Sequence, residues 1–101
     1  NGADFRAIGN EPGWHMEISN KRDILLVTDY GQRTYRFTSS NIKPEPDNRT
    51  TTYSASSDDN MIEVVIKVDP CRDSMSGEAF AATVSVVVDD RRYTGCGKAL
   101  H

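Results

Sequence analysis

Hydrophobic and polar residues alternate over most of the chain, the pattern typical of half-buried β-strands. The alternation is clearest in two stretches: residues 14–19, where Trp14, Met16 and Ile18 would share one face, and residues 61–68. Similar short runs recur between turn-forming residues, at 24–28, 33–38, 50–56, 80–88 and 91–96. Nowhere does the 3.6-residue period of a helix persist over a helical length. The pattern therefore predicts about seven to eight short strands.

The segments between these runs predict how the strands connect. Residues 1–8 favour an irregular lead-in or a short first strand, and residues 10–13 a tight turn. Residues 39–48 predict the longest loop, residues 50–56 a polar strand at a sheet edge, and residues 89–90 a hairpin turn. Strands joined in this way imply an all-β antiparallel meander that closes into a small β-barrel or folds into a sandwich.

The 101 residues form a single domain, 1–101, that buries a modest core. Its two cysteines, Cys71 and Cys96, each border a predicted strand, which favours a disulfide worth about 3 to 4 kcal/mol. The alternative is a pair of buried free thiols. A disulfide predicts export, to the periplasm or the outer membrane.

Charge and hydropathy limit the partners of the chain. The net charge is −3 with both signs interspersed, so no basic face predicts a nucleic-acid partner. The longest apolar stretch, residues 80–88, is far too short to span a bilayer. The sequence holds no signal peptide or lipidation cysteine, so we expect either that a leader was removed or that it lies before the first residue given, and membrane contact, if any, only through a lost N-terminal lipid anchor.

Three stretches together resemble a known family: Ile8-Gly9-Asn10-Glu11-Pro12-Gly13-Trp14, Cys71-Arg72-Asp73-Ser74-Met75-Ser76 and Tyr93-Thr94-Gly95-Cys96-Gly97. The family consists of uncharacterised small bacterial envelope proteins, among them lipoproteins and predicted membrane proteins. Its members show a Gly-x-Glu-Pro-x-Trp turn, a Cys-x-Asp-x-Met-Ser loop and a late Gly-Cys, and sometimes accompany a domain of the META or heat-shock lipoprotein type. The resemblance spans nearly the whole chain and implies an exported, envelope-associated β domain. Where many members carry an aromatic residue before the tryptophan, this chain has Gly13.

Glu11, Trp14 and His15 form the first candidate site. An indole supplies apolar contact area, and a neighbouring carboxylate and imidazole supply polar contacts at its rim, so the three residues could form a ligand platform. The alternative interpretation, which the alternating pattern favours, is that Trp14 packs in the core while His15 is solvated.

Asp73, Met75 and Ser76 form the second candidate site. Short polar side chains beside a bridged cysteine are suited to a preorganised recognition loop. The alternative is that Asp73 and Ser76 satisfy backbone donors inside the loop while Met75 plugs the end of the barrel.

Catalytic and metal chemistry have little support in the sequence. Only His15 and His101 could serve as a histidine base, and no nucleophile motif accompanies them, so we predict a chain that is not an enzyme. No ligand set for a metal or cofactor stands out. We expect a monomeric binding module for an envelope protein or a small molecule. The alternatives are an inhibitor of a cell-wall hydrolase such as lysozyme, since an acidic domain suits a cationic enzyme, and a structural accessory domain.

Overall fold

The computed structural model describes residues 3–10 and 12–100. These residues form nine β-strands and one short 3₁₀ turn, Pro46–Asn48. Within this part of the chain no helix is long and apolar enough to cross a membrane. The strands are β1 Ala3–Asn10, β2 Gly13–Ser19, β3 Asp23–Thr28, β4 Arg33–Thr38, β5 Asn41–Glu45, β6 Thr50–Ser56, β7 Met61–Arg72, β8 Ala79–Val88 and β9 Arg91–Ala99.

All nine strands belong to one antiparallel sheet that curls into a half-barrel. Their order across the sheet is β4-β3-β2-β1-β9-β8-β7-β6-β5. The two edge strands, β4 and β5, follow one another in the sequence and are joined only by Ser39 and Ser40. Because so short a link cannot bridge the width of a flat nine-stranded sheet, the sheet must curl until its edges approach each other.

Ser39 holds the two edges together where they meet. Its backbone N–H donates to Arg22 O at 2.8 Å, which ties it to the β2–β3 turn. Its hydroxyl lies 2.9 Å from Ser54 O on β6, and the residue is only 5% exposed. A small hydroxylated residue therefore bridges the two ends of the sheet.

The inner face of the curled sheet forms the hydrophobic core. The predicted alternation over residues 14–19 is confirmed, because Trp14, Met16 and Ile18 are all buried. The members of the core cluster come from both halves of the sheet: Ala7, Trp14, Met16, Ile18, Ile24, Leu26, Phe37, Ala55, Ile62, Val64, Val84, Val86, Val88 and Tyr93. Burial of this apolar face, at about 25 cal/mol per Å² of apolar surface, is the main force that curls the sheet.

Two predictions about the polar middle of the chain are wrong. Residues 39–48 are not one loop, because Asn41–Glu45 forms β5, so the sheet has nine strands rather than seven or eight. Residues 50–56 are not at an edge, because β6 pairs with both β5 and β7. Pro44 lacks an N–H and is tolerated in β5 because that strand lies at a free edge.

The predicted disulfide is present and joins the long β7–β8 hairpin to β9. Cys71 and Cys96 are bonded, with their Cα atoms 5.5 Å apart. β7 extends to Arg72, well beyond the predicted strand, and its pairing with β8 shifts register between Val68 and Cys71. Such an irregularity bends a strand. The bend allows the end of the hairpin, residues 69–78, to lie over the outer face of β9. We call residues 69–78 the hairpin tip.

Candidate functional site

The stretches 8–14 and 71–76, singled out in the sequence, meet in the structure through Asn10. The side-chain amide of Asn10, at the end of β1, donates to Asp73 Oδ1 at 2.7 Å and lies 3.1 Å from Ser74 Oγ. These partners are 63 and 64 residues away in the chain. The hairpin tip thus crosses β9 and rests on β1, with the disulfide beneath it. The β1–β2 turn and the tip form one continuous surface.

Hydrogen bonds inside the hairpin tip fix its shape. Asp73 Oδ2 accepts from the backbone N–H of Ser76 at 2.8 Å, and Ser76 Oγ accepts from the N–H of Glu78 at 3.1 Å. The Ser76 bonds, followed by that from Asn10, hold the pKa of Asp73 below its usual value against the opposing effect of burial. The interpretation that Asp73 and Ser76 satisfy backbone donors within the loop is confirmed.

Met75 occupies the outermost position of the tip. Its side chain is 80% exposed, so the prediction that it plugs the end of a barrel is wrong. The turn from Asp73 to Gly77 directs residue 75 away from the sheet, because the Gly77 N–H donates back to Asp73 O at 2.8 Å. Met75 is therefore free to contact another molecule.

Trp14 lies in the core, as the alternating pattern favours. It is 5% exposed, its indole N–H donates to Thr94 O at 3.1 Å, and its ring packs tilted against Tyr93 at 6.3 Å between centroids. Its indole occupies the space left by two glycines on the inner face: a Cβ at Gly9 would lie 1.9 Å from Trp14 Nε1, and one at Gly95 would lie 2.9 Å from its Cζ2. Trp14 positions β1 and β9 beneath the surface rather than facing a partner.

The other two residues of the first candidate site differ in what the structure shows. Glu11 lies outside the described residues. His15 is half-buried on the outer face of β2, paired in register with Ile8 of β1. A shallow depression of about 470 Å³ there extends from His15 to Asn10 and to Tyr30. His15 thus borders the surface formed around Asn10.

Tyr30 is a surface residue that the sequence analysis missed. It lies in the β3–β4 turn with a positive φ of 58°, uncommon for an aromatic residue, and is 76% exposed. Its backbone N–H donates to Gly13 O at 2.9 Å, and its ring leaves no room for a side chain there, since a Cβ at Gly13 would lie 2.8 Å from Tyr30 Cδ1. The signal in the sequence was an aromatic residue inside a turn otherwise made of Asp, Gly and Gln.

Tyr30 and Met75 therefore flank the β1–β2 turn from opposite sides. Tyr30 packs on Gly13 at one strand of this turn, and the hairpin tip carrying Met75 is bonded to Asn10 at the other. They are the two most exposed large hydrophobic side chains of the described residues. We call the surface made by Asn10, Gly13, Tyr30, Ser74 and Met75 the turn surface.

A groove lies beside the turn surface, beneath the hairpin tip. It has a volume of about 530 Å³; the tip forms its roof and the outward-facing residues of β7, β8 and β9 its floor. We call it the outer groove. Among the described residues, no three His, Cys, Asp or Glu side chains gather to hold a metal ion there or elsewhere.

Comparisons with protein-family models, with curated proteins and with solved structures gave no match. The turn surface and the outer groove are therefore the features of the chain that bear on its function.

Proposed function

We propose that the chain is an exported envelope domain of a bacterium that binds a partner, without catalysis, through the turn surface. The observation that carries the proposal is the bonding of Asn10 to Asp73 and Ser74, which unites two distant stretches of the chain. The disulfide, suited to an oxidising compartment, fixes the same tip and supports the assignment to the envelope.

The turn surface has the properties of a small contact site. Tyr and Met are enriched at interfaces, where an exposed aromatic ring and a flexible thioether supply much contact area. Both segments that carry them are held in place: Tyr30 by its bond to Gly13 O, and the tip by the disulfide and Asn10. Because a preorganised surface loses little conformational entropy on binding, even a small contact area can give specific association.

The test is retention of envelope proteins on the immobilised, oxidised domain. The variants Met75→Ser and Tyr30→Ser remove the two exposed anchors, and each should abolish retention that the parent shows. Met61→Ser is the matched control, because Met61 is 68% exposed and lies at the far end of β7 from the tip. Free energies of unfolding within about 0.5 kcal/mol of the parent's would confirm that the exposed substitutions leave the fold intact.

Equal retention by the parent and all three variants would contradict the assignment to the turn surface. If no protein is retained, the proposal of a protein partner is contradicted, and the proposed binding partner is then a small molecule. Lysozyme serves as one defined bait, since inhibition of a cell-wall hydrolase is the second function that the sequence suggests. Loss of lysozyme activity at stoichiometric amounts of the domain would favour that second function.

A further inference from the structure

The outer groove has the size and position of a small-molecule site. Its volume of about 530 Å³ falls within the roughly 300 to 1,000 Å³ typical of ligand pockets. The disulfide lies in its wall, between Cys71 of the roof and Cys96 of the floor. Since the bridge and the bonds of Asn10 hold the roof in place, the groove is formed before any ligand arrives.

Hydroxyl groups dominate the uncharged polar lining of the groove. Thr83 and Ser85 of β8 and Thr94 of β9 face outward into it, and Ser74 contributes from the roof. Each hydroxyl can both donate and accept a hydrogen bond. Such a lining suits a ligand that itself carries several hydroxyl groups.

The charges in the groove oppose the charge of the chain as a whole. Lys67 and Arg72 line it with two positive charges and Asp73 with one negative, which leaves a net charge of +1 in a chain of net charge −3. Among the described residues the Lys67 ammonium has no hydrogen-bond or ion-pair partner. The Arg72 guanidinium donates through Nη1 to Gly77 O at 2.6 Å, and its other N–H groups have no partner among the described residues. Asp73, by contrast, is saturated by Asn10 and Ser76.

We propose that the outer groove binds a small hydroxylated carboxylate of the sugar-acid type. Lys67 and Arg72 would bind the carboxylate, since a guanidinium fork matches its two oxygens, and the hydroxyls of Thr83, Ser85 and Thr94 would bond to those of the ligand. The excess of positive charge in the lining attracts an anion, and Arg92 adds to it because its Nη1 donates to Ser85 Oγ at 3.3 Å. This inference rests on the proposed binding function and names a ligand class for the groove beside the turn surface.

The experiment is a titration of the ¹⁵N-labelled, oxidised chain with glucuronate, followed by amide chemical shifts. Glucose is the matched ligand, because it keeps the ring and hydroxyls but lacks the carboxylate. Glucuronate should give saturable shifts at the amides of Lys67, Arg72 and Thr94, and glucose should give none. Lys67→Gln should weaken glucuronate binding by about tenfold or more, the usual effect of losing a charged hydrogen-bond partner. Lys43→Gln, which removes an exposed lysine of β5 outside the groove, should leave it unchanged.

Four results would overturn the inference. The first three are equal binding of glucose, absence of saturable shifts with glucuronate, and equal weakening by Lys67→Gln and Lys43→Gln, which would indicate unspecific charge attraction. Tighter binding of inorganic phosphate than of glucuronate would contradict the preference for a carboxylate. Met75→Ser and Tyr30→Ser should retain glucuronate binding, so failure of the groove and failure of the turn surface give different results.

Discussion

Removal of the disulfide should cost the protein a large part of its stability. The bridge joins residues separated by 25 positions, and the chain-entropy relation gives about 3.5 kcal/mol for a closed loop of that length. In the double variant Cys71→Ala/Cys96→Ala, lost packing of the buried Cys96 sulfur adds about 1 kcal/mol. The free energy of unfolding of a domain of this size is roughly 5 to 15 kcal/mol, so we expect the variant to fold with only marginal stability.

Chemical reduction separates the two contributions. The reduced parent keeps both sulfurs and loses only the cross-link, so its free energy of unfolding should fall by about 3.5 kcal/mol. For a urea m-value near 1.5 kcal/mol/M, the midpoint should move down by about 2 M. The double variant should unfold at slightly lower urea than the reduced parent.

Urea unfolding of the oxidised parent, the reduced parent and the double variant, followed by tryptophan fluorescence, measures these differences. Trp14 is a suitable probe, because it is the one tryptophan of the chain and lies in the core. A shift below about 0.5 M on reduction would refute the reasoning, since it would show that the bridge does not restrict the unfolded chain.

Three further predictions concern single residues. Gly95→Ala should lower the free energy of unfolding by about 2 to 3 kcal/mol, measured by urea unfolding, because its Cβ would lie 1.9 Å from Ile8 O of the neighbouring strand. Ser39→Ala should cost about 1 to 2 kcal/mol in the same assay, because it leaves Ser54 O without its hydroxyl donor where the sheet edges meet; an unchanged midpoint would contradict this role. The pKa of Asp73 is lowered in the folded state, so its contribution to stability is present above the unfolded pKa and is lost as pH falls through the folded value. Asp73→Asn should therefore flatten the dependence of stability on pH below about pH 4, and a variant that loses stability in parallel with the parent there would contradict the assignment.

The sequence was sufficient to predict the elements that bury a face. Trp14, Met16 and Ile18 alternate with polar residues, and period-two burial leaves a signal that can be counted. β5 left no such signal. It contains Pro44, and Ile42 is its one strongly apolar residue, because an edge strand with an exposed side needs little hydrophobic pattern.

The turn surface was only partly predictable for a different reason. Its defining contact joins Asn10 to Asp73 across 63 residues, and local periodicity carries no information on such pairs. Tyr30 was missed because its exposure follows from a turn conformation that brings it onto Gly13, not from its neighbours in sequence.

The strand order also gives the sheet an unusual relation between chain and space. Every neighbouring pair of strands is consecutive in sequence except β1 and β9, which meet in the middle of the sheet. The protein is therefore two local meanders, β1–β4 and β5–β9, joined by one long-range pairing. The disulfide is anchored on β9 opposite Ile8, and the Asn10 contact ends on β1, so both tethers of the hairpin tip lie over this junction. The segment that exposes Met75 also lies across the junction at which the two meanders could separate.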